Sequence, residues 1–334
     1  MKEALFYEKI DDCTVQCNLC SHRCILKPGE TGICNVRENM KGTLVSNVYC
    51  KIAAKNIDPV EKKPLYHFVP GSYTYSISTV GCNLKCKNCQ NHEISQSKSI
   101  LGYFISPEEI VSEISDNRLK SISFTYTEPT VYYETARDIG ELAIKKDIRN
   151  IFVSNGYMTM EVTEDLSKWL HAINIDLKSF SDAFYKRICK ASLKPVLDNI
   201  IRLKENNVWV EITTLLIPEY NDSENEIRNI AKFIKSVDKS IPWHISAFYP
   251  TYLLTDAPPT NPSSVKNARL IGLAEGLEYV YTGNIRDIEG SATFCPECGE
   301  LLIARAGYSV NIMNFSSGKC GNCGKSISGV FNFR

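Results

Sequence analysis

The chain has 334 residues, 43% hydrophobic and 23% charged, which excludes wholesale disorder and allows about two domains, or one large core with appendages. Its 38 basic and 38 acidic residues cancel, so no basic stripe argues for nucleic acid, although neutrality leaves an RNA or protein substrate open. No run reaches the ~18 apolar residues of a spanning helix, and the opening MKEALFYEKIDD lacks an apolar export stretch, so a cytoplasmic protein without a membrane partner is expected.

Fourteen cysteines stand out. In a reducing compartment, clustered thiols point to metals rather than disulfides. The first group lies in residues 1–65, a segment broken by Gly29, Gly32 and Gly42 that reads as loop-rich and metal-stapled. Cys17, Cys20, Cys24 and Cys34 suffice for one site, with Cys13 and His22 spare. Zinc and an auxiliary iron–sulfur cluster both fit; the cluster would point to electron relay or substrate contact. LVSNVYCKIAAKNI (44–57) supplies one or two strands, and the isolated Cys50 and Cys189 read as buried small apolar residues.

From about residue 72, β-rich runs alternate with helical ones. Strands are expected at 73–80, 122–127, 151–155, 172–177, 208–217, 243–249 and 279–283. Helices fall at 106–116, 130–146, 159–170, 181–188, 194–207, 223–236 and 262–276. Ser106 before Pro107 and two glutamates suits a helix start, and Ser223 with Glu226 has capping-box spacing. The alternation predicts an α/β fold with a parallel sheet. Seven strands are too few for a closed eight-fold barrel, so a partial barrel over residues 66–288 is expected, its functional loops at the carboxyl ends of the strands. Residues 289–334 turn loop-like and carry Cys295-x2-Cys298 and Cys320-x2-Cys323, each followed by glycine. That is the pattern of one four-thiolate site for zinc or a single iron, in a zinc-ribbon-like or rubredoxin-like module.

The sharpest feature follows the first core strand: GCNLKCKNCQN, with Cys82, Cys86 and Cys89 spaced C-x3-C-x2-C. Three thiolates can hold three irons of a 4Fe-4S cubane and leave the fourth open, and S-adenosylmethionine (SAM) can chelate an open iron. The competing reading is a structural zinc completed by His67 or His92, but zinc sites normally pair cysteines in C-x2-C units. Here the chain resembles the radical SAM superfamily, and within it the AmmeMemoRadiSam-system enzymes, relatives of pyruvate formate-lyase and other glycyl-radical activating enzymes. The likeness runs over essentially the whole chain, through VQCNLCSHRCILKPGETGICNVREN, GCNLKCKNCQNHEISQ, FTYTEPT, VSNGY, NIDLKSF, PWHISAFYPTY, YVYTGN and the terminal C-x2-C pair.

The resemblance implies a (β/α)6-type partial barrel and a cofactor site at its strand ends. Thr127 and Glu128 match the element that meets the methionine amino group; a bland alternative is a cap on the helix that begins near Thr130. Ser154 and Asn155 belong to a loop that approaches the cofactor. Lys178 offers a partner for the methionine carboxylate, with Asp176 to orient it. His244 resembles a histidine placed near the ribose, with a satisfied core histidine as the equal alternative, and Glu211 and Thr213, alternating on one strand, face either the interior as ribose partners or solvent. Asn88 departs from the family, which usually places an apolar or aromatic residue there against the adenine. The implied activity is reductive cleavage of SAM to methionine and a 5′-deoxyadenosyl radical, which abstracts hydrogen from a substrate. That substrate is a protein glycine, an RNA, a peptide or a small molecule; a one-electron reductant such as flavodoxin or ferredoxin, and the other two proteins of the system, are the implied partners. A metal-binding interaction protein without turnover is the alternative of another class.

Overall fold

The computed structural model describes residues 1–333. Its centre is one eight-stranded sheet: β1 (Ala54–Pro59), β2 (Tyr73–Ser78), β3 (Ser121–Phe124), β4 (Arg149–Ser154), β5 (Ala172–Asp176), β6 (Trp209–Leu216), β7 (Trp243–Ala247) and β8 (Val280–Gly283). The strands lie in sequential order; β1 pairs antiparallel with β2, and every later pair is parallel. A doubly wound sheet would reverse its order at a switch point. Sequential order instead keeps the crossovers on one side and curls the sheet into an open barrel.

The crossovers are α1 (Pro107–Asp116), α2 (Tyr133–Ile144), α3 (Met160–Leu166), α4 (Lys194–Glu205), α5 (Glu224–Asp238) and α6 (Pro262–Ala274). They make six strand–helix units from β2 to α6, as the (β/α)6 expectation requires, and β8 adds a last parallel strand. All four residues of β3 are buried, as a covered parallel strand requires. α1 begins with a complete capping box between Ser106 and Glu109. The box at α5 is only half made: Ser223 accepts from the Glu226 amide, but the Glu226 carboxylate turns away to Ser179 and the Phe180 amide.

The first 50 residues form short antiparallel hairpins, and their Val15, Leu19, Val36 and Leu44 share one buried core with Ile77 and Phe124 of the barrel. The carboxyl-terminal residues form a three-stranded antiparallel sheet, β9 (Thr293–Phe294), β10 (Leu301–Ala306) and β11 (Ser309–Ile312). It packs on β8 through Tyr279 and Tyr281. The barrel edges β1 and β8 do not pair. Residues 67–69 bridge the opening to Val330, with the Val69 amide donating to the Val330 carbonyl at 2.6 Å and the Val330 amide to the His67 carbonyl at 2.8 Å.

Candidate active site

The loop after β2 carries the three central cysteines to the carboxyl end of the barrel. Gly81 has φ +101°, and a Cβ there would fall 2.6 Å from Val36 Cγ1, so only glycine lets the chain leave the strand. The loop is pinned on its far side by Lys85 N to Cys189 O at 2.8 Å and Lys87 N to Ile188 O at 3.2 Å. Both acceptors lie in a π-helical turn, Tyr185–Cys189. Cys189 is buried, as expected, but its thiol also hydrogen-bonds Cys86.

Cys82, Cys86 and Cys89 line one cavity of about 550 Å³ with Asn88, Thr127, Glu128, Ser154, Asn155, Asp176 and Lys178. Glu128 is 2% exposed and accepts four hydrogen bonds: Thr130 N (3.0 Å), Thr130 Oγ1 (2.6 Å), Ser154 Oγ (2.8 Å) and Asn155 N (2.8 Å). It is thus the cap of the 3-10 turn Pro129–Tyr132 and a tie between the ends of β3 and β4. The capping and cofactor readings meet in one carboxylate. Asn155 extends the tie, donating to Asn83 Oδ1 at 2.8 Å and Cys82 Sγ at 3.8 Å. Thr127 Oγ1 donates to Thr79 O at 2.9 Å. Lys178 Nζ lies 3.0 Å from Asp176 Oδ2. Although burial disfavours its charge, Asp176 and the neighbouring cysteines hold the ammonium well above the ordinary lysine range.

Glu211 and His244 do not line this cavity. They precede Thr213 and Ser246, which do, by one strand period, roughly 6–7 Å toward the amino ends. There Glu211, fully buried, accepts from Tyr66 N (2.9 Å), His67 N (2.8 Å), Trp209 Nε1 (3.0 Å) and His244 Nε2 (2.7 Å). Burial raises its pKa, but His244, with His67 and Trp209, more than offsets this and holds it below the ordinary range. The pair belongs to the barrel floor, and His244 lines an adjoining cavity with Tyr66 and Ser246. His67, weighed above as a metal ligand, belongs to the same floor. Its Nδ1 donates to Ser328 O at 2.7 Å, so Nε2 accepts from Tyr281 Oη at 2.6 Å. Arg305 Nη1 donates to Thr293 Oγ1 at 2.9 Å, leaving that hydroxyl to donate to Tyr281 Oη at 2.8 Å. A directed chain of hydrogen bonds therefore runs from the terminal module into the floor. His92 sits by the cluster loop but stacks on Tyr252 at 4.4 Å.

The cavity fits the cluster and SAM. Burial pushes the Cys82 and Cys89 thiols up, whereas the neighbouring Cys189 brings Cys86 down to about 7. Asn88 Oδ1 and Thr213 Oγ1 are buried without hydrogen-bond partners and face the cavity, which a polar ligand would satisfy. Tyr126, whose φ is +61°, was missed by sequence reasoning; its carbonyl accepts from Asn91 Nδ2 at 2.7 Å and joins the cluster loop to β3. A left-handed tyrosine carries no sequence signal.

Elsewhere, Cys295, Cys298, Cys320 and Cys323 place their sulfurs within 4.8 Å of one another, with pairs at 3.6 and 3.7 Å. A tetrahedral zinc with bonds of ~2.3 Å separates its sulfurs by about 3.8 Å. The glycines after each knuckle, Gly299 and Gly324, have φ +74° and +76°, and their amides close the turns onto Cys295 O and Cys320 O at 2.9 Å. Among the described residues, no other group of cysteines gathers at single-ion spacing, the central three included. No described helix is long and apolar enough to cross a membrane.

Residues 76–234 match the radical SAM superfamily. The chain is 42% identical over 332 residues to an uncharacterized protein of Methanocaldococcus jannaschii, covering 98% of this chain and 99% of that one. A second protein of that organism, provisionally named a glycyl-radical enzyme activating enzyme, is 30% identical over 52% of this chain and 66% of its own length. The pyruvate formate-lyase-activating enzyme of Clostridium pasteurianum is 26% identical over 47% of this chain and 67% of its own length. In structure, the chain is similar in fold to a radical SAM methyltransferase from Sphaerobacter thermophilus (TM-score 0.51, 16% identity, 70% of this chain and 71% of that one). With the cysteine loop placed at the carboxyl end of the barrel, the family match identifies residues 76–234 as a radical SAM domain.

Proposed function

We propose that Cys82, Cys86 and Cys89 hold a 4Fe-4S cluster with one open iron and that SAM fills the cavity beside it. When bound, this group supplies one-electron cleavage of SAM and a 5′-deoxyadenosyl radical able to take hydrogen from an unactivated carbon. The protein's own part is placement. Glu128 and Asn155 lock the strand ends that flank the cluster loop, and Thr127 offers a hydroxyl held by Thr79. Lys178, oriented by Asp176, matches a carboxylate, while Asn88 and Thr213 offer unpaired polar atoms to the nucleoside. The carrying observation is the convergence of three thiols, one oriented ammonium and two orphaned polar atoms on a single cavity.

Hydrogen abstraction from a backbone glycine of a partner protein is a second reading, favoured by the names of the activating-enzyme relatives; an RNA, peptide or small-molecule substrate completes the range. We place the protein in the cytoplasm, reduced by a flavodoxin or ferredoxin and working beside the other two AmmeMemoRadiSam proteins. In this reading residues 1–65 bind metal, residues 66–288 carry the barrel chemistry, and residues 289–334 form a zinc- or iron-bound module. Anaerobic reconstitution with iron and sulfide, followed by reduction with SAM present, should yield 5′-deoxyadenosine. A fully loaded sample that makes none, with or without cell extract, overturns the enzyme reading.

A further inference from the structure

We propose that Cys17, Cys20, Cys24 and Cys34 hold a second, fully ligated 4Fe-4S cluster that relays electrons to the cluster at Cys82, Cys86 and Cys89; the relay rests on the reading above. The four thiols come from one wrapped segment. Cys17 N donates to Cys24 O at 2.8 Å, and the turn between them closes through Arg23 N to Cys20 O at 3.0 Å. A Cβ on Gly32 would lie 3.7 Å from the sulfurs of both Cys24 and Cys34, which bounds their separation at twice that distance. The glycine leaves open the space between them. Cys17 and Cys34 are buried and the other two half-buried.

Spacing favours iron–sulfur over zinc. The carboxyl-terminal quartet gathers all its sulfurs within 4.8 Å, whereas the amino-terminal quartet does not close up in that way, and neither does the central trio. A cube of iron and sulfide spreads its outer ligands well beyond the span of a single tetrahedral ion. A second observation is a buried donor without a partner. Arg37 is 1% exposed, lies in Coulombic range of Cys17, Cys20 and Cys34, and keeps its Nε buried without a hydrogen-bond partner. Its charge is met by Glu134 at 3.0 Å, so the unpaired Nε–H is what a sulfur or sulfide acceptor beside these thiols would satisfy.

Position gives the centre its role. A Cβ on Gly81, the residue before Cys82, would lie 3.0 Å from Cys34 O. His22 Nε2 donates to Asn83 O at 2.8 Å. The two thiol groups thus meet backbone to backbone, with Lys85 in Coulombic range of both Cys82 and Cys34. With four thiolates, every iron of the second cluster is capped, which leaves electron transfer as its chemistry. One electron enters from a reduced flavodoxin- or ferredoxin-type carrier, reduces this cluster, and leaves it oxidised again when the pocket cluster is reduced. No bond forms or breaks, and no proton moves.

The test uses the full chain reconstituted anaerobically with iron and sulfide. Wild type should hold about eight irons, and Cys82→Ala/Cys86→Ala/Cys89→Ala should keep about half, with a dithionite-reduced EPR signal that SAM leaves unchanged. Cys17→Ala/Cys34→Ala should keep the other half, with a signal that SAM alters, and reduced flavodoxin should reduce its pocket cluster at least tenfold more slowly. About four irons in wild type with zinc bound at the amino-terminal thiols, or an unchanged reduction rate, overturns the proposal. If the amino-terminal variant fails to fold, Mössbauer iron counting on wild type decides. About eight irons without any SAM response would instead sink the SAM reading and leave the second cluster standing.

Discussion

Replacing Glu128 by glutamine separates a carboxylate that shapes the site from one that only meets the cofactor. Three of its four accepted hydrogen bonds end on Oε1 and the fourth, from Asn155 N, on Oε2. Glutamine is nearly isosteric, but only one of its terminal atoms accepts. Its best pose keeps the carbonyl at the Oε1 position and turns an NH2 toward the Asn155 amide, donor against donor, in a site 2% exposed. One charge-assisted bond is lost and a buried N–H is orphaned, a cost of about 2–4 kcal/mol. Asn155 also donates to Cys82 Sγ, so the disturbance reaches the cluster loop. Urea unfolding of the metal-free chain should show the loss, and SAM affinity measured on the iron-loaded chain should fall roughly tenfold or more. A Glu128→Gln chain as stable as the parent, impaired only in SAM binding, would refute the argument; the carboxylate would then serve the ligand alone.

Four further outcomes are expected. Tyr281→Phe removes the donor to His67 Nε2 and should cost about 2 kcal/mol in urea unfolding, since two buried partners lose a bond; an unchanged midpoint would show the chain of bonds to be ornamental. Burial holds His67 at about 4, against 6.5 for the free imidazole. Below pH 6.5 the unfolded chain takes up a proton that the folded chain refuses, so stability should fall from pH 6.5 toward 4 by up to about 3 kcal/mol from this residue. A flat stability profile between pH 6.5 and 5, where carboxylates contribute little, contradicts it. Lys178→Met should weaken SAM binding about tenfold while leaving iron content intact, and equal affinity would remove the lysine from the site. Cys298→Ser should release the metal of the carboxyl-terminal quartet without lowering cluster iron, as read by elemental analysis; loss of cluster iron would mean the two sites are not independent.

Much of the barrel was legible because each core strand is a short apolar run between helix signals. Each of the seven expected strands overlaps an observed one, and Ser106 capped as its neighbours implied. The cysteine loop was legible because ligand spacing is local. What alternation leaves open is depth along a strand: it says that Glu211, Thr213 and Leu215 share a face but not which of them reaches the cavity. The register of β6 against β7 and the insertion of residues 66–67 from β1's side decided that, and both are long-range. Glu226 was misjudged for a similar reason, since Ser179 and the Phe180 amide, distant in sequence, compete for the carboxylate. Cys189 carried no signal of its contact with Cys86, because only the turn at 185–189 brings the two together.

The hydrogen-bond chain beneath the cavity begins at a guanidinium, which can only donate, and ends at a carbonyl, which can only accept. Every hydroxyl and ring nitrogen between them has its orientation dictated by those two ends. Such a file has a single polarity and cannot reverse to hand protons along. This chain therefore ties the terminal module to the barrel floor in one fixed orientation and passes no proton along its length.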